Sequence, residues 1–350
     1  MKDIASLRKE IERTDSEIVR LMIRRNDAAK RIGDLKAELG LPLRNLDVER
    51  EVVERYRRMA ENSSIPEDVS EAVCRILIES SVELQARALR KGCTKKITII
   101  GGRGKMGVWM DDYFTSMGAT VNAVGRSYGG MSDAKDSDVV IVSVPISSTL
   151  KYLKEADEVC KEDALIFDIS SIKSPLSGCL KEMAGRRKVC SVHPMFGPSA
   201  ASLLGRNVVV CDCGCKAAVS EASELFDNDG SNIIITSVER HDELMAYVLG
   251  FAHASNITFF TALRESGIPF SEMRRTASTT FKRCMDTFIP VSEEDASLYH
   301  QIQRLNANAE DVWRVYENAF NEVKEASLSN DPQEFIRTME RGRDFIKRTD

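Results

Sequence analysis

Apolar residues recur at heptad spacing through the first forty residues, and one row of them is Ile4, Ile11 and Ile18. This period is typical of a long helix that packs along one seam. Gly40 and Pro42 end the pattern, because glycine favours a helix C-terminus and proline cannot continue a helix. Further apolar periodicity predicts a second helix over residues 45–60 and a third over 66–90.

From residue 96 the pattern changes to short apolar runs separated by amphipathic segments, which is typical of buried parallel strands and their connecting helices. Predicted strands cover residues 96–100, 119–124, 138–144 and 164–169. An amphipathic helix is predicted over 106–117. Helical periodicity returns from about residue 240.

The predicted fold is therefore multidomain. An all-α three-helix domain spans 1–92, an α/β doubly wound domain spans 96–239, and a second all-α domain spans 240–350. Residues 91–95 form a short linker.

Composition separates the first of these domains from the rest. Residues 1–92 contain three of the 20 glycines and none of the four histidines, so this part is poorly equipped for proton transfer or phosphate binding. No apolar run approaches the roughly 18 residues of a membrane span. Nine cysteines fit free thiols in a reducing compartment, so we expect a cytoplasmic protein. The net charge of −5 gives no general attraction to nucleic acid.

Three alternate cysteines invite a metal-site interpretation. Cys211, Cys213 and Cys215 are predicted to share one face of a strand. No Cys-x-x-Cys pair or nearby histidine completes a tetrahedral set, so structural thiols are favoured over zinc and no metal is expected.

Cations interrupt the apolar seam of the first helix. Arg25 continues the row of Ile4, and a guanidinium facing a core is costly unless an anion meets it. Arg8 and Lys36 lie on the adjoining edge, and Ser81 and Gln85 are one turn apart on the third helix. Arg8 and Arg25 are about 25 Å apart along a straight helix. Either they serve different sites, or a second chain completes one site; a coiled-coil arm with solvated cations is the alternative.

This region resembles the all-helical chorismate mutase family, which rearranges chorismate to prephenate within intertwined dimers. The resemblance rests on Leu7-Arg8, Asp15, Arg24-Arg25, Lys36, Pro42-Leu43-Arg44, Asp47, Glu49-Arg50-Glu51 and Ile78 to Gln85. It implies that Arg8, donated to the partner's pocket, and Arg25 bind the substrate carboxylates. Lys36 and Gln85 would bind the ether oxygen, Glu49 would bind the ring hydroxyl, and Ser81 would also contact the substrate.

Two positions depart from the family pattern. Asn45 stands where many relatives have Asp, and Val48 stands where many have Arg. Arg44 or Arg50 is the candidate to replace the missing cation.

A glycine motif follows the first predicted strand. Gly102-x-Gly104-x-x-Gly107 lies between that strand and the helix containing Met106, as a Rossmann fingerprint requires. The glycines permit a tight turn and the close approach of a pyrophosphate to the helix N-terminus. The sequence therefore predicts a nicotinamide dinucleotide site.

The tip of the second predicted strand favours one form of that cofactor. An acidic residue usually binds the ribose hydroxyls of NAD there, whereas this chain has Arg126 and Ser127. A guanidinium and a hydroxyl suit a 2′-phosphate, which favours NADP over NAD. A surface role for Arg126, or stacking on adenine, is the alternative.

Two loops after predicted strands carry candidate chemistry, and one of them holds His193 between Val192 and Pro194. The chain from residue 96 onward resembles the prephenate dehydrogenase family through the glycine motif, Val142 to Ile146, Ser171-Ile172-Lys173, His193 to Pro198 and Glu239 to Asp242. The resemblance implies hydride transfer from prephenate to NAD or NADP, with loss of carbon dioxide. His193 would accept the hydroxyl proton, oriented by Ser171, and Lys173 would lie near the ligands.

The C-terminal helices are expected to form the dimer and to close this site. His253 matches a second site histidine of the family, near the substrate. The resemblance implies that a cation at Lys282-Arg283 binds the side-chain carboxylate of prephenate, and Arg283 is preferred for its bidentate geometry.

The sequence thus predicts a homodimeric bifunctional enzyme that makes 4-hydroxyphenylpyruvate from chorismate in two steps toward tyrosine. Its partners are small molecules, with no nucleic acid or membrane. The alternatives are a mutase fused to an arogenate dehydrogenase and a non-catalytic coiled-coil dimer with a redox-sensing Rossmann domain.

Overall fold

The computed structural model describes residues 3–88, 90–125, 127–228 and 230–348. The helices are α1 Ile4–Leu39, α2 Leu46–Ala60, α3 Glu67–Ala88, α4 Lys105–Ser116, α5 Ile146–Val159, α6 Ser177–Ala184, α7 Lys216–Phe226, α8 Val238–Met245, α9 Ala252–Glu265, α10 Phe270–Arg275, α11 Thr279–Glu293, α12 Ala296–Leu305, α13 Ala309–Leu328 and α14 Gln333–Lys347. The strands are β1 Lys96–Ile100, β2 Thr120–Val124, β3 Val139–Val142, β4 Leu165–Asp168, β5 Val189–Pro194, β6 Asn207–Asp212 and β7 Asn232–Ser237. The fold class predicted from the sequence is confirmed.

Local signals set the ends of the first two helices. The Asp3 carboxylate accepts a hydrogen bond from the Ser6 amide at 2.7 Å and caps α1, and Gly40 ends the helix in the left-handed region at φ 64°. Asn45 caps α2 by accepting from the amides of Asp47 and Val48. The Asn45 side chain therefore caps α2 as an Asp side chain would.

The strands form one sheet in the order β2-β1-β3-β4-β5-β6-β7. All neighbours are parallel except β5 and β6, which are antiparallel. Because the chain leaves β1 toward β2 on one side and returns as β3 on the other, the carboxyl ends of β1 and β3 border a crevice that suits a ligand. β4 and β5 end at the same edge of the sheet.

The strand expected to carry three cysteines is shorter than predicted. β6 ends at Asp212, so Cys211 alone lies on it, while Cys213 follows the strand and Cys215 precedes α7. Cys211 and Cys213 are buried. The turn at Gly214, with φ 115°, breaks the alternation that the sequence pattern implied.

A loop from the sheet contacts the N-terminal helices. Leu204, between β5 and β6, packs against the small core of α2 and α3 that includes Val53 and Ile78, and Leu43 packs against the same core. The two parts of the chain therefore share an apolar contact.

Much of α1 remains uncovered within one chain. Its exposed apolar side chains include Ile4, Ile11, Ile18, Leu21 and Leu35. α13 and α14 likewise expose Phe320, Phe345 and Ile346. None of the helices in the described part of the chain is long and apolar enough to cross a membrane.

Candidate active sites

The first candidate site is a cavity of about 420 Å³ between α1, α2 and α3. Arg25, the cation in the seam of α1, donates to the carbonyl of Leu77 at 2.5 Å and to the hydroxyl of Ser81. These contacts aim the guanidinium across the helix pair. The predicted residues that line this cavity are Arg25, Lys36, Glu49, Ser81 and Gln85.

Lys36 and Gln85 face the same cavity. The ammonium of Lys36 donates to the carbonyl of Leu43 at 2.5 Å. Burial lowers the pKa of Lys36, and the nearby Glu49 carboxylate partly offsets that change. The side-chain oxygen of Gln85 is buried without a hydrogen-bond partner among the described residues. An unpaired amide is costly, so this cavity is suited to a polar ligand.

Arg44 is the cation beside Glu49. Its guanidinium donates to Glu49 at 3.0 Å and also pairs with Glu79. Arg50, the other candidate replacement, is exposed and pairs with Asp47. Of the two candidates, Arg44 is the one that contacts a residue lining the cavity, Glu49.

Arg8 lies outside this cavity. It is exposed near the start of α1, and within the residues described it forms no ion pair or hydrogen bond. The single chain thus brings together the other predicted residues of the first site but not Arg8.

The second candidate site begins at the glycine turn after β1. A Cβ at Gly102 would approach that of Ala123 to 2.7 Å, and a Cβ at Gly107 would lie 2.3 Å from the carbonyl oxygen of Gly101. Gly104 is less constrained and caps α4 at its N-terminus. Gly102 and Gly107 are thus required for strand–helix packing, and Gly104 starts the helix that faces an anion.

The glycine motif predicted from the sequence did not include Gly101, which the structure also requires to be glycine. Its φ is 84°, and a Cβ there would lie 2.1 Å from the carbonyl oxygen of Ser143. The doubled glycine in the sequence is the signal that could have identified it. The Met106 side chain packs on the hydrophobic core, so at position 106 only the backbone amide can face a bound cofactor.

A cavity of about 450 Å³ opens over this turn, lined by residues that include Gly101, Gly104, Gly125, Tyr128, Ser143 and Pro145. Arg126 lies outside the described residues, and Ser127 is exposed in the turn after β2. A second arginine is present at this edge: the Arg103 guanidinium stacks over the Tyr128 ring at 3.7 Å. The Arg103 amide also donates to the Tyr128 hydroxyl at 2.8 Å.

The third candidate centre is a buried chain of side chains at the end of β5. His193 is 4% exposed, and its Nδ1 lies 2.9 Å from Nε2 of His241. Nδ1 of His241 lies 2.8 Å from Oδ1 of Asp242. The sequence motif contained His241 and Asp242, but only the fold shows that His241 contacts His193 and that Asp242 contacts His241.

Burial and neighbouring charge tune these groups. Burial, together with the nearby positive charge of Lys173, holds the pKa of His193 well below its ordinary value. Burial also lowers the pKa of His241. For Asp242 burial opposes ionisation, but hydrogen bonds from His241, Ser174 and the Lys173 amide outweigh it and lower the pKa. Both histidines are thus neutral and Asp242 is ionised at neutral pH.

Ser171 and Lys173 occupy different roles from those expected. The Ser171 hydroxyl makes no hydrogen bond to His193 in the described structure, and His241 holds that imidazole instead. Lys173 is fully buried, with its ammonium 3.0 Å from Asp168 and 2.9 Å from the Val192 carbonyl. Its ammonium group is therefore engaged by Asp168 and the Val192 carbonyl and is not exposed to a ligand in this chain.

Two further predicted residues lie in the C-terminal helices. His253, on α9, stacks on Tyr299 with ring centroids 4.1 Å apart, and its Nδ1 is buried without a partner in the described residues. Burial lowers its pKa. Arg283 and Lys282 are both exposed on α11, which packs against α9. The structure therefore does not distinguish between these two cations.

No group of three or more His, Cys, Asp or Glu side chains could hold a metal ion in the described parts of the chain. Burial raises the pKa of the Cys211 thiol to about 12, so this thiol stays protonated.

Three family models match the chain in succession. The chorismate mutase type II model matches residues 7–86. The prephenate dehydrogenase nucleotide-binding domain matches residues 85–235, and the prephenate dehydrogenase dimerization domain matches residues 237–341.

Similar proteins agree with that order. The T-protein of Haemophilus influenzae is 27% identical over 352 residues, covering 99% of this chain and 93% of that protein. A probable arogenate/prephenate dehydrogenase of Methanocaldococcus jannaschii is 28% identical over 71% of this chain and 60% of its own length. Prephenate dehydrogenase from A. aeolicus, solved with hydroxyphenyl propionate and NAD+, has a TM-score of 0.59 at 18% identity and covers 73% of this chain and 99% of that chain.

Proposed function

We propose specific roles for the residues of this chain, which belongs to the chorismate mutase type II and prephenate dehydrogenase families and is a bifunctional enzyme of tyrosine biosynthesis. Its N-terminal helices rearrange chorismate to prephenate. The remaining domains oxidise and decarboxylate prephenate to 4-hydroxyphenylpyruvate. The observation that carries the proposed roles is the buried neutral His193 at the carboxyl end of β5, on the sheet edge that also carries the glycine turn.

The residues after β1 fit a nicotinamide dinucleotide. Side chains at Gly101, Gly102 or Gly107 would collide with neighbouring backbone or side chains, and their absence lets a pyrophosphate approach the N-terminus of α4. When bound, the nicotinamide accepts a hydride from the substrate.

In the oxidation step, Nε2 of His193 accepts the proton of the ring hydroxyl. At the same time a hydride leaves the carbon that bears this hydroxyl, and a carbonyl forms. The bond to the ring carboxylate then breaks, its electron pair enters the ring, and carbon dioxide leaves. The proton returns from His193 to the oxygen as the ring becomes aromatic. His253 and the cation at Lys282-Arg283 are proposed to contact the substrate from the C-terminal helices.

In the rearrangement step the chain supplies fixed charge and no base. Arg25 is held against Ser81 and binds one carboxylate, and Lys36 and Gln85 bind the ether oxygen as it gains negative charge. Glu49 binds the ring hydroxyl. Arg8 is proposed to enter the pocket of the partner subunit in a homodimer, because it lies far from the pocket of its own chain and α1 exposes an apolar row.

We infer a preference for NADP over NAD. The support is Ser127 in the turn after β2 and the nearby Arg103, which adds a guanidinium to the one at position 126. Titration of each cofactor, followed by quenching of protein fluorescence, tests this without catalysis. Tighter binding of NADP that Arg126→Ala reduces supports the preference, and tighter binding of NAD overturns it.

The free thiols of all nine cysteines fit the cytoplasm proposed from the sequence. Among substrates, prephenate is proposed over arogenate.

The central experiment supplies the full chain with chorismate and NAD+ or NADP+ and follows the absorbance of the reduced nicotinamide. Reduction from chorismate, and from prephenate added directly, is expected. Reduction with arogenate but not prephenate supports the arogenate alternative. No reduction with any of the three contradicts the dehydrogenase role, and disappearance of chorismate measures the mutase separately.

A further inference from the structure

Asp242 is the fixed end of the chain of buried side chains that ends at His193. Its carboxylate accepts from the backbone amides of Lys173 at 2.9 Å and Ser174 at 2.5 Å, and from the Ser174 hydroxyl. Its backbone carbonyl accepts from the Asn306 side chain at 2.8 Å. Donors from the loop after β4 thus hold the carboxylate in one position, and Asn306 holds the backbone of the same residue.

The ionised Asp242 determines which ring nitrogens of His241 and then of His193 carry a proton. An ionised Asp242 is only an acceptor, so the contacting Nδ1 of His241 carries the proton. His241 is neutral, so its Nε2 is bare and can only accept. The contacting Nδ1 of His193 must therefore carry a proton, and Nε2 of a neutral His193 is left bare.

We propose that His241 and Asp242 are positioning residues that fix His193 in the tautomer whose Nε2 is the base. This inference rests on the proposed dehydrogenase function and deepens it. Without a set tautomer, a fraction of His193 would carry its proton on Nε2 and could not accept another. His241 does not contact the substrate in this scheme and acts only through His193.

The chain also stabilises the protonated intermediate. When His193 gains a proton, its Nδ1 hydrogen bond to His241 strengthens, and the Asp242 carboxylate offsets the new positive charge. The other charged groups near this centre are Lys173 and Asp168, which pair with each other at 3.0 Å. Loss of the His241 acceptor should therefore make His193 a weaker base.

Two substitutions at His241 separate positioning from packing. In His241→Leu the acceptor is lost, so kcat for prephenate oxidation should fall about 100-fold. The acidic limb of the pH profile should also move to lower pH. His241→Gln keeps a carbonyl that can accept from Nδ1, so kcat should recover to within about tenfold of the parent chain and the limb should return.

Cofactor affinity of the same full chain reports folding of the dehydrogenase part for both variants, and mutase activity reports folding of the N-terminal helices. Equal impairment of the Leu and Gln variants, or a Leu variant with the parent's kcat and acidic limb, overturns the proposal. If the parent chain does not oxidise prephenate, the proposed function fails and the kinetic comparison has no baseline.

A spectroscopic measurement tests the tautomer without turnover. Ring nitrogen NMR shifts of the ¹⁵N-histidine-labelled chain at neutral pH distinguish protonated from bare nitrogens. Four histidines are present, so single substitutions assign them. A protonated Nδ1 and a bare Nε2 on His193 are expected. A protonated Nε2 on His193 would rule out the positioning role even if the enzyme is active.

Discussion

The two active sites of this chain handle charge in opposite ways. The mutase cavity is lined by two cations, Arg25 and Lys36, which are held by backbone carbonyls and a hydroxyl. The dehydrogenase centre buries two neutral histidines against one carboxylate. A pericyclic rearrangement needs charges that stay fixed, whereas hydride removal from a carbinol needs a group that gains and releases a proton. This difference agrees with the sequence, because residues 1–92 contain none of the four histidines.

The sites also differ in completeness. The buried side chains His193, His241 and Asp242 of the dehydrogenase centre all come from one protein chain, on β5 and α8. The mutase cavity lacks Arg8 from its own chain, and the apolar row of α1 remains exposed. Under the proposed donation of Arg8, the first site needs a partner subunit, whereas one chain brings His193, His241 and Asp242 together.

The largest expected effect comes from removing the base. His193→Asn should lower the rate of prephenate oxidation by about 10²–10⁴-fold, because the group proposed to accept the proton is lost. Initial rates of nicotinamide reduction measure this, with cofactor affinity and mutase activity unchanged. The exposed His300 on α12 gives a matched control as His300→Asn. An unaffected oxidation rate would remove His193 from the mechanism.

A similar separation is expected in the other direction. Arg25→Ala should lower mutase turnover by about 10²–10³-fold, because a fixed charge on the substrate carboxylate is lost. Oxidation of added prephenate should be unchanged. Lys30→Ala removes an exposed cation from the same helix and serves as the control. Near-normal mutase turnover in Arg25→Ala would defeat the assignment, provided that circular dichroism shows intact helices.

The pH profiles should diverge between the sites. Lys36 must be protonated to bind the ether oxygen, and burial lowers its pKa, so mutase activity should fall as pH rises through that lowered value. His193 must be unprotonated, and its pKa is depressed, so oxidation should fall only as pH drops well below the ordinary histidine range. Lys36→Arg should move the alkaline limb to higher pH. A mutase rate that does not fall at high pH, or an acidic limb of oxidation within the ordinary histidine range, would contradict the distinction.

The smallest effect probes the contact between the two parts. Leu204 is partly buried against the core of α2 and α3, and the same core is packed by Leu43, whose carbonyl holds Lys36. Leu204→Ala should destabilise the mutase helices by about 1 kcal/mol and raise the KM for chorismate a few-fold. Thermal unfolding and mutase kinetics measure these changes, with cofactor affinity as the control. Unchanged mutase stability and KM would show that this contact does not support the site.

Local patterns were sufficient for much of the fold. Heptad spacing and Gly40 predicted α1 within its observed limits, and the apolar runs placed β1 to β4. These predictions succeeded because periodicity and helix ends depend on neighbouring residues. The cysteine run failed because a turn at Gly214, invisible to an alternation rule, ends the strand early.

The sequence by itself determined the order of the domains, the glycine turn and the presence of Arg25 in an apolar seam, since each depends on residues close together in the chain. Only the tertiary structure decided which groups meet. Lys173 pairs with Asp168, and His193 contacts His241, which is 48 positions away. The physical reason is that a hydrogen bond requires heavy atoms within about 3 Å, and such distances between distant residues are fixed by how β4, β5 and α8 pack.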